Sequence, residues 1–389
     1  MICMAAGLVE RQVAEIVRRC NAGLDAAQLR LEVLGRLRRV MPVDAAFFAT
    51  VDPVTLLFTM AVAEDPLGVA TPLFLDNEFG RDDVNKFAAL SGSAGRVVSL
   101  DRATRGDRSV SPRYREIMAP LGLGDELRAA LVAGQHCWGV LCLHREDSSL
   151  GFTGQELHLV QRIAPHLGEG LRRAVALPAA AGDAAASEPR TPGIIVLDSH
   201  LAVMSISPQA EYWLAEMADP NSPVATELPL AVYAAAARLS RFEQLPDTSA
   251  APTVRVRTRA GRWLMIHAAR LDGPAGQQTG IVFEPASPTQ LNSLFLSAYG
   301  LTPAQQRVAT LVLQGHSTRQ IVSKLHISAN TVQEHLTAVF DKAGVRSRRE
   351  LAAALLANRH EERSAKRDHD LAAGSRATDP SLPPIRPHW

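Results

Sequence analysis

Residues 301–356 read LTPAQQRVATLVLQGHSTRQIVSKLHISANTVQEHLTAVFDKAGVRSRRELAAALL, and this stretch decides the architecture of the C-terminal region. Thr302-x-x-Gln305 is a capping box with Pro303 at the first helical position, so a helix opens there. Val308, Leu311 and Val312, with Leu301 ahead of them, supply one apolar face, and Gly315 ends the helix. Ser317-x-x-Gln320 is a second capping box, for a short helix Thr318–Leu325 that turns Ile321 and Leu325 inward. Ser328 precedes a third helix, Ala329–Ala343, in which Val332, Leu336, Val339, Phe340 and Ala343 form one stripe at 3.6 residues per turn. Gly344 stops it, and Ser347 caps a fourth helix, Arg348–Asn358. Residues 296–358 carry seven Lys/Arg against three Asp/Glu, the one clearly positive segment of a chain whose net charge is +1. Short helices, tight turns and positive charge together predict an all-α four-helix helix-turn-helix domain, built to push one helix into the DNA major groove.

The pattern Leu301-Thr302 … Gly315-x-Ser317 … Ile321 … Leu325-x-Ile327-Ser328-x-x-Thr331-Val332-x-x-His335-Leu336 … Lys342-x-Gly344-Val345-x-Ser347-Arg348 … Leu351 resembles the LuxR/GerE-type DNA-binding domain. It covers about 55 of 389 residues, in register across four helices. Gln305 and Arg307 stand where the family often has Glu, Val322 where it usually has Ala, and Gln333 replaces a frequent Lys.

Opposite the apolar stripe of the third helix lie Asn330, Gln333, Glu334, Thr337 and Asp341. The first four form the expected base-reading face. Gln333 matches adenine N6/N7 and Glu334 accepts from cytosine N4, each worth ~1–3 kcal/mol of discrimination. No Arg or Lys is there for guanine, so A·T or C-containing steps are expected. Asp341 is as well explained by solvation of the helix. The resemblance further implies that Thr331, His335, Lys342, Arg346 and Arg348 hold the phosphate backbone, with Lys324 and Arg319 assisting. So few cations per subunit call for two modules on two half-sites, hence a homodimer on double-stranded DNA.

Working back from this domain, residues 193–286 open with strand Gly193–Asp198, strand Val203–Ile206 and a helix bearing Ala210, Trp213, Leu214 and Met217. They close with strands Thr253–Thr258, Arg262–Arg270 and Thr279–Glu284. The order resembles a PAS-like α+β domain, with Ser207-Pro208 where Asn-Pro is common. Residues 1–175 show helices near Glu10–Cys20 and Asp25–Arg39, then strands Ala45–Val51 and Thr55–Val62 around Asp52-Pro53. A hairpin follows, Glu126–Ala133 and His136–His144 about Gly134-Gln135, and then a helix from Thr153. This order resembles a GAF-type sensor, which implies a cavity between sheet and helices for a small-molecule effector. In the last helix, Leu157, Val160, Ala164, Leu167, Leu171 and Ala174 make an a/d seam, which either covers its own sheet or joins a parallel dimer; Pro165 should kink it. Residues 176–192 read as a linker, and the Pro-rich 359–389 as a disordered tail.

The whole is thus expected to be a multidomain α+β protein resembling LuxR-family regulators with a GAF-like sensor. No apolar run exceeds the eight residues Leu230–Ala237, against the ~20 of a membrane helix. With no recognisable signal peptide, the expected location is cytoplasmic. Cys137 and Cys142 read as inert strand residues, and His136 and His144, ~27 Å apart along an extended strand, cannot share a metal. GxxxxGK[ST], HExxH and GxSxG are all absent, so neither an enzyme nor a cofactor is expected. The leading expectation is a DNA-binding transcriptional regulator controlled by a small-molecule or protein signal. The alternative is a protein-interaction adaptor whose helix-turn-helix meets a partner such as RNA polymerase.

Overall fold

The computed structural model describes residues 2–147, 150–177, 189, 191–218, 228–245, 251–273 and 276–357. The expected tail 359–389, and most of the expected linker 176–192, lie outside the described residues. The chain divides into two compact units, Met1–Arg307 and Val308–Trp389.

In the first unit, helices α1 (Ile2–Cys20) and α2 (Ala26–Leu37) lead into strands β1 (Ala45–Val51) and β2 (Phe58–Ala63). Short helices α3 (Thr71–Leu75), α4 (Phe87–Gly92) and α5 (Leu100–Thr104) surround the brief strand β3 (Val97–Ser99). The long hairpin β4 (Leu123–Ala133) and β5 (His136–Glu146) follows, and α6 (Gly154–Ala176) closes this half. The hairpin turns where expected, with Gly134 at φ 61° in the left-handed region that a side chain disfavours. The sheet is antiparallel, in the order β2-β1-β5-β4-β3.

Helix α6 settles the two readings of its seam. Thr153 and Glu156 form its capping box, and Leu157, Val160, Ala164, Leu167, Leu171 and Ala174 are all buried within the chain. They cover the helix's own sheet rather than a second copy. Gly168 permits the close approach: a Cβ there would stand 2.9 Å from the backbone carbon of Leu131. Pro165 does not end the helix. It lies on the exposed side, as does Gln161 four residues earlier, whose carbonyl loses its helical donor there.

The second half of this unit contains β6 (Gly193–Leu197), β7 (Val203–Ile206), α7 (Pro208–Met217), α8 (Leu230–Gln244), β8 (Thr253–Arg257), β9 (Trp263–Gly273) and β10 (Gly276–Pro285). Its sheet, β7-β6-β10-β9-β8, repeats the strand order of the first without any repeat in sequence. Helix α8 explains why the two halves form one body. Its run Ala231–Ala237 is apolar on every side and buried on every side. It packs on β9 behind and on β2 and α3 in front, so one continuous core serves both sheets. A buried bidentate ion pair adds to this: Arg255 Nη2 and Nε lie 2.6 and 2.7 Å from the two carboxylate oxygens of Asp52. Asp52 and Arg255 are 3% and 6% exposed.

Helix α9 (Pro288–Ala298), not expected from the sequence, ends this unit behind a Ser287/Gln290 capping box. It is held to the first half by a hydrogen bond from Arg172 Nη1 to the Ala298 carbonyl and by a 3.2 Å contact of Ser297 Oγ with His136 Nε2. Helix α10 (Pro303–Leu313) crosses the unit boundary, and the second unit continues with α11 (Thr318–Leu325), α12 (Ala329–Ala343) and α13 (Arg348–Ala357).

Candidate nucleic-acid interface

Helices α11 and α12 have the expected ends because their signals are local. Ser317 and Gln320 satisfy each other's backbone N–H groups at the start of α11. His326 then takes φ 53°, a left-handed turn by a non-glycine residue, and Ser328 accepts from the Thr331 N–H to start α12. Gly344, at φ 67°, ends α12, and the Val345 N–H reaches back to the Phe340 carbonyl at 3.0 Å.

Within the unit, Ile321 of α11, Val332, Leu336 and Val339 of α12, and Leu351 and Leu355 of α13 are essentially fully buried, with Val308, Ala309 and Val312 of α10. This fixes the rotation of α12 about its axis. Asn330, Gln333, Glu334, Thr337 and Asp341 are all exposed on its other side, so the expected base-reading group is brought together on one open face. Two of these side chains are already organised. Asn330 Nδ2 donates to Glu334 Oε1 at 2.9 Å, and Thr337 Oγ1 donates to the Gln333 carbonyl at 3.1 Å.

The expected phosphate-contacting group separates into two. Lys342 and Arg346 are exposed, and Thr331 and His335 are half-buried along the edges of the same face. Arg348 is placed otherwise: its Nη1 donates to the His316 carbonyl at 3.0 Å and its Nη2 to Thr318 Oγ1 at 2.8 Å. Its guanidinium joins the start of α13 to the start of α11, so it orients the module from within. His316 and Thr318, the acceptors, carried no signal in the sequence, because a contact across 30 residues follows no local pattern.

The interior of the first sheet is rich in aromatic rings. Phe47, Phe58, Phe74, Phe79 and Phe87 pack there at centroid separations of 4.9–6.1 Å. The Arg128 guanidinium carbon lies 4.0 Å from the Phe87 ring centroid. A small cavity there, lined by Phe47, Leu67, Phe74, Ile117 and His144, holds about one water. Beneath it, Arg113 Nη2 meets Glu126 at 2.7 Å and Arg128 Nη2 meets Glu78 at 2.8 Å, all buried.

Glu126, Cys142 and His144 place ligand-type atoms within 4.8 Å of one another. Burial pushes the Cys142 thiol up to about 12 and the His144 ring down to about 4. Glu126 goes the other way: Arg113 and Arg128 outweigh its burial and hold it down at about 2. The carboxylate is thus claimed by two guanidiniums that repel a cation, and the cluster fits an internal charge network better than a metal centre. Burial likewise raises Cys137 to about 11, which suits an inert thiol.

Residues 300–355 match the family model described as bacterial regulatory proteins, luxR family, and residues 28–171 match the GAF domain model. No curated protein matches the chain. Among solved structures, the GAF domain of an Acinetobacter phosphoenolpyruvate-protein phosphotransferase aligns at 15% identity and TM-score 0.31, over 43% of this chain and 94% of that one. The E. coli DhaR(N)–DhaL complex aligns at 16% identity and TM-score 0.24, over 70% and 90%. A bacteriophytochrome from the photosynthetic bacterium R. palustris aligns at 12% identity and TM-score 0.32, over 71% and 63%. Likenesses this slight carry no argument about function. The two family matches do: the chain joins a GAF domain to a luxR-family helix-turn-helix domain, both regulatory, which is the composition of a signal-sensing DNA-binding regulator. Among the described residues no helix is long and apolar enough to cross a membrane.

Proposed function

We propose that the chain is a cytoplasmic transcriptional regulator that binds duplex DNA as a homodimer, with α12 in the major groove and the signal received by the Met1–Arg307 unit. The observation that carries this reading is the α12 face: Asn330, Gln333, Glu334 and Thr337 stand open opposite a buried stripe, so the helix enters a groove without unpacking. Gln333 reads adenine. Glu334, with Oε1 accepting from Asn330, offers Oε2 to cytosine N4. Thr331, His335, Lys342 and Arg346 hold phosphates, while Arg348 is a positioning residue. The strand–strand–helix opening and five-stranded antiparallel sheet of residues 193–285 support a PAS-like second module.

Selection of bound duplexes from a random pool tests the reading. The expected product is two half-sites about one helical turn apart, rich in A·T and C-containing steps, with Gln333→Ala relaxing one position in each half. A guanine-dominated motif read by α12 overturns the base assignments. Absence of any salt-dependent DNA affinity overturns DNA binding itself and favours the adaptor role, with RNA polymerase as a partner to test.

A further inference from the structure

A cleft of the first unit lies between its two sheets, on the Arg255 and Arg257 face of β8. It is a half-open cleft of about 680 Å³, within the range of small-molecule sites. One wall is apolar: Met60, Trp138, Leu171, Ala174 and Trp263 line it. The other is the Arg-bearing face of β8, where side chains two residues apart point the same way.

Charge decides what fits. Arg255 and Asp52 cancel, and every nitrogen of Arg255 is occupied: Nη1 donates to the Gln290 carbonyl at 3.0 Å and to Ser293 Oγ at 3.2 Å. That leaves the guanidiniums of Arg257 and Arg259 beside the carboxylate of Asp25, which is itself engaged in capping α2. Arg257 is half-buried, and its Nε donates to the Gly261 carbonyl at 3.2 Å. Among the described residues no carboxylate pairs with Arg257 or Arg259. Burial without such a partner pushes the Arg257 guanidinium below its ordinary value. Arg257 also stands directly across the β8–β9 ladder from Trp263, so a cation and an indole border the same space.

We propose that this cleft is a binding site for an amphiphilic organic anion: a carboxylate, sulfonate or phosphate group met by Arg257 and Arg259, and an apolar or aromatic body against Trp138, Trp263 and Leu171. The site is distinct from the aromatic interior of the GAF-matched sheet and does not depend on the DNA-binding reading. It accounts for a desolvated, unpaired arginine, which protein interiors otherwise avoid.

The full-length protein is titrated by fluorescence with 8-anilinonaphthalene-1-sulfonate and, separately, with N-phenyl-1-naphthylamine, a similar body without the anion. The sulfonate is expected to saturate one site per chain and to bind about tenfold more tightly than the neutral probe. Arg257→Gln is expected to weaken the sulfonate about tenfold and the neutral probe less than twofold. Arg259→Gln, at an exposed position where folding is not at stake, is expected to weaken the sulfonate about threefold. Ala27→Trp, which fills the mouth, is expected to block both probes. Equal affinity for the two probes, no saturable sulfonate binding, or sulfonate affinity unchanged in both Arg variants overturns the proposal. DNA affinity, measured in parallel by gel shift, separates its failure from failure of the regulator reading.

Discussion

The salt dependence of DNA binding follows from where the structure puts its arginines. Of the cations expected on phosphates, Lys342 and Arg346 are exposed beside the α12 face, whereas Arg348 spends both terminal nitrogens on His316 and Thr318. Leaving aside the assisting Lys324 and Arg319, two contacts per subunit make four in a dimer on two half-sites. At ~0.9 counterions released per phosphate neutralised, log K against log salt should slope at about −3.6. Had Arg348 also neutralised phosphate, the slope would approach about −5.4. Fluorescence anisotropy with a selected operator duplex, between roughly 50 and 300 mM salt, resolves that difference. Arg346→Gln should make the dimer's slope shallower by about 1.8 and leave thermal unfolding unchanged. Arg348→Gln should leave the slope within error and instead lower stability, because two charge-assisted hydrogen bonds are lost from a half-exposed site. A discounted cost of about 1–2 kcal/mol is reasonable there, or roughly 4–16 °C in melting temperature for a unit of this size. If Arg348→Gln flattens the slope as Arg346→Gln does and leaves the melting curve alone, the division of labour argued here is wrong.

Three further expectations can be checked separately. His326 holds a left-handed conformation at φ 53°, so His326→Val should destabilise the module by about 1–2 kcal/mol while His326→Gly is near neutral; equal denaturant midpoints for the two variants would contradict the turn geometry. Asp52→Ala leaves Arg255 buried and unpaired, which should cost the first unit about 3–5 kcal/mol, and Asp52→Leu with Arg255→Met should recover more than half of that. His144, depressed to about 4 from an ordinary 6.5, binds its proton more readily when unfolded; its contribution is therefore full above pH 6.5 and is lost as pH falls towards 4, by up to about 3 kcal/mol. His144→Leu should flatten urea stability between pH 7 and 5, and a variant with the wild-type pH dependence would exclude His144 as its source.

Much of the C-terminal unit was legible before any coordinates, for a physical reason. Helix ends are decided by a few neighbouring groups: Ser317 with Gln320, Ser328 with the Thr331 N–H, Gly344 in a conformation other residues resist. The same kind of signal stands at the start of α9, Ser287-Pro288-x-Gln290, but the apolar residues behind it, Leu291, Leu294 and Phe295, are buried against a partner distant in sequence. The a/d seam of α6 shows the limit from the other side. Its period required something apolar to cover it, but a sheet of the same chain and a second copy ask for the same stripe.

What the amino-acid sequence determined by itself was therefore the helices of the C-terminal unit, the long hairpin and α6 of the first, the rotation of α12 and the identity of the face it offers. Backbone hydrogen bonds and the direction of an apolar stripe depend on residues within a turn or two. Only the tertiary structure decided which charges are spent and which remain. Asp52 finds Arg255 from 203 residues away, Arg348 is drawn inward to Thr318, and Arg257 has no carboxylate beside it among the described residues. Pairing of this kind is a property of three-dimensional proximity, and no spacing along the chain encodes it.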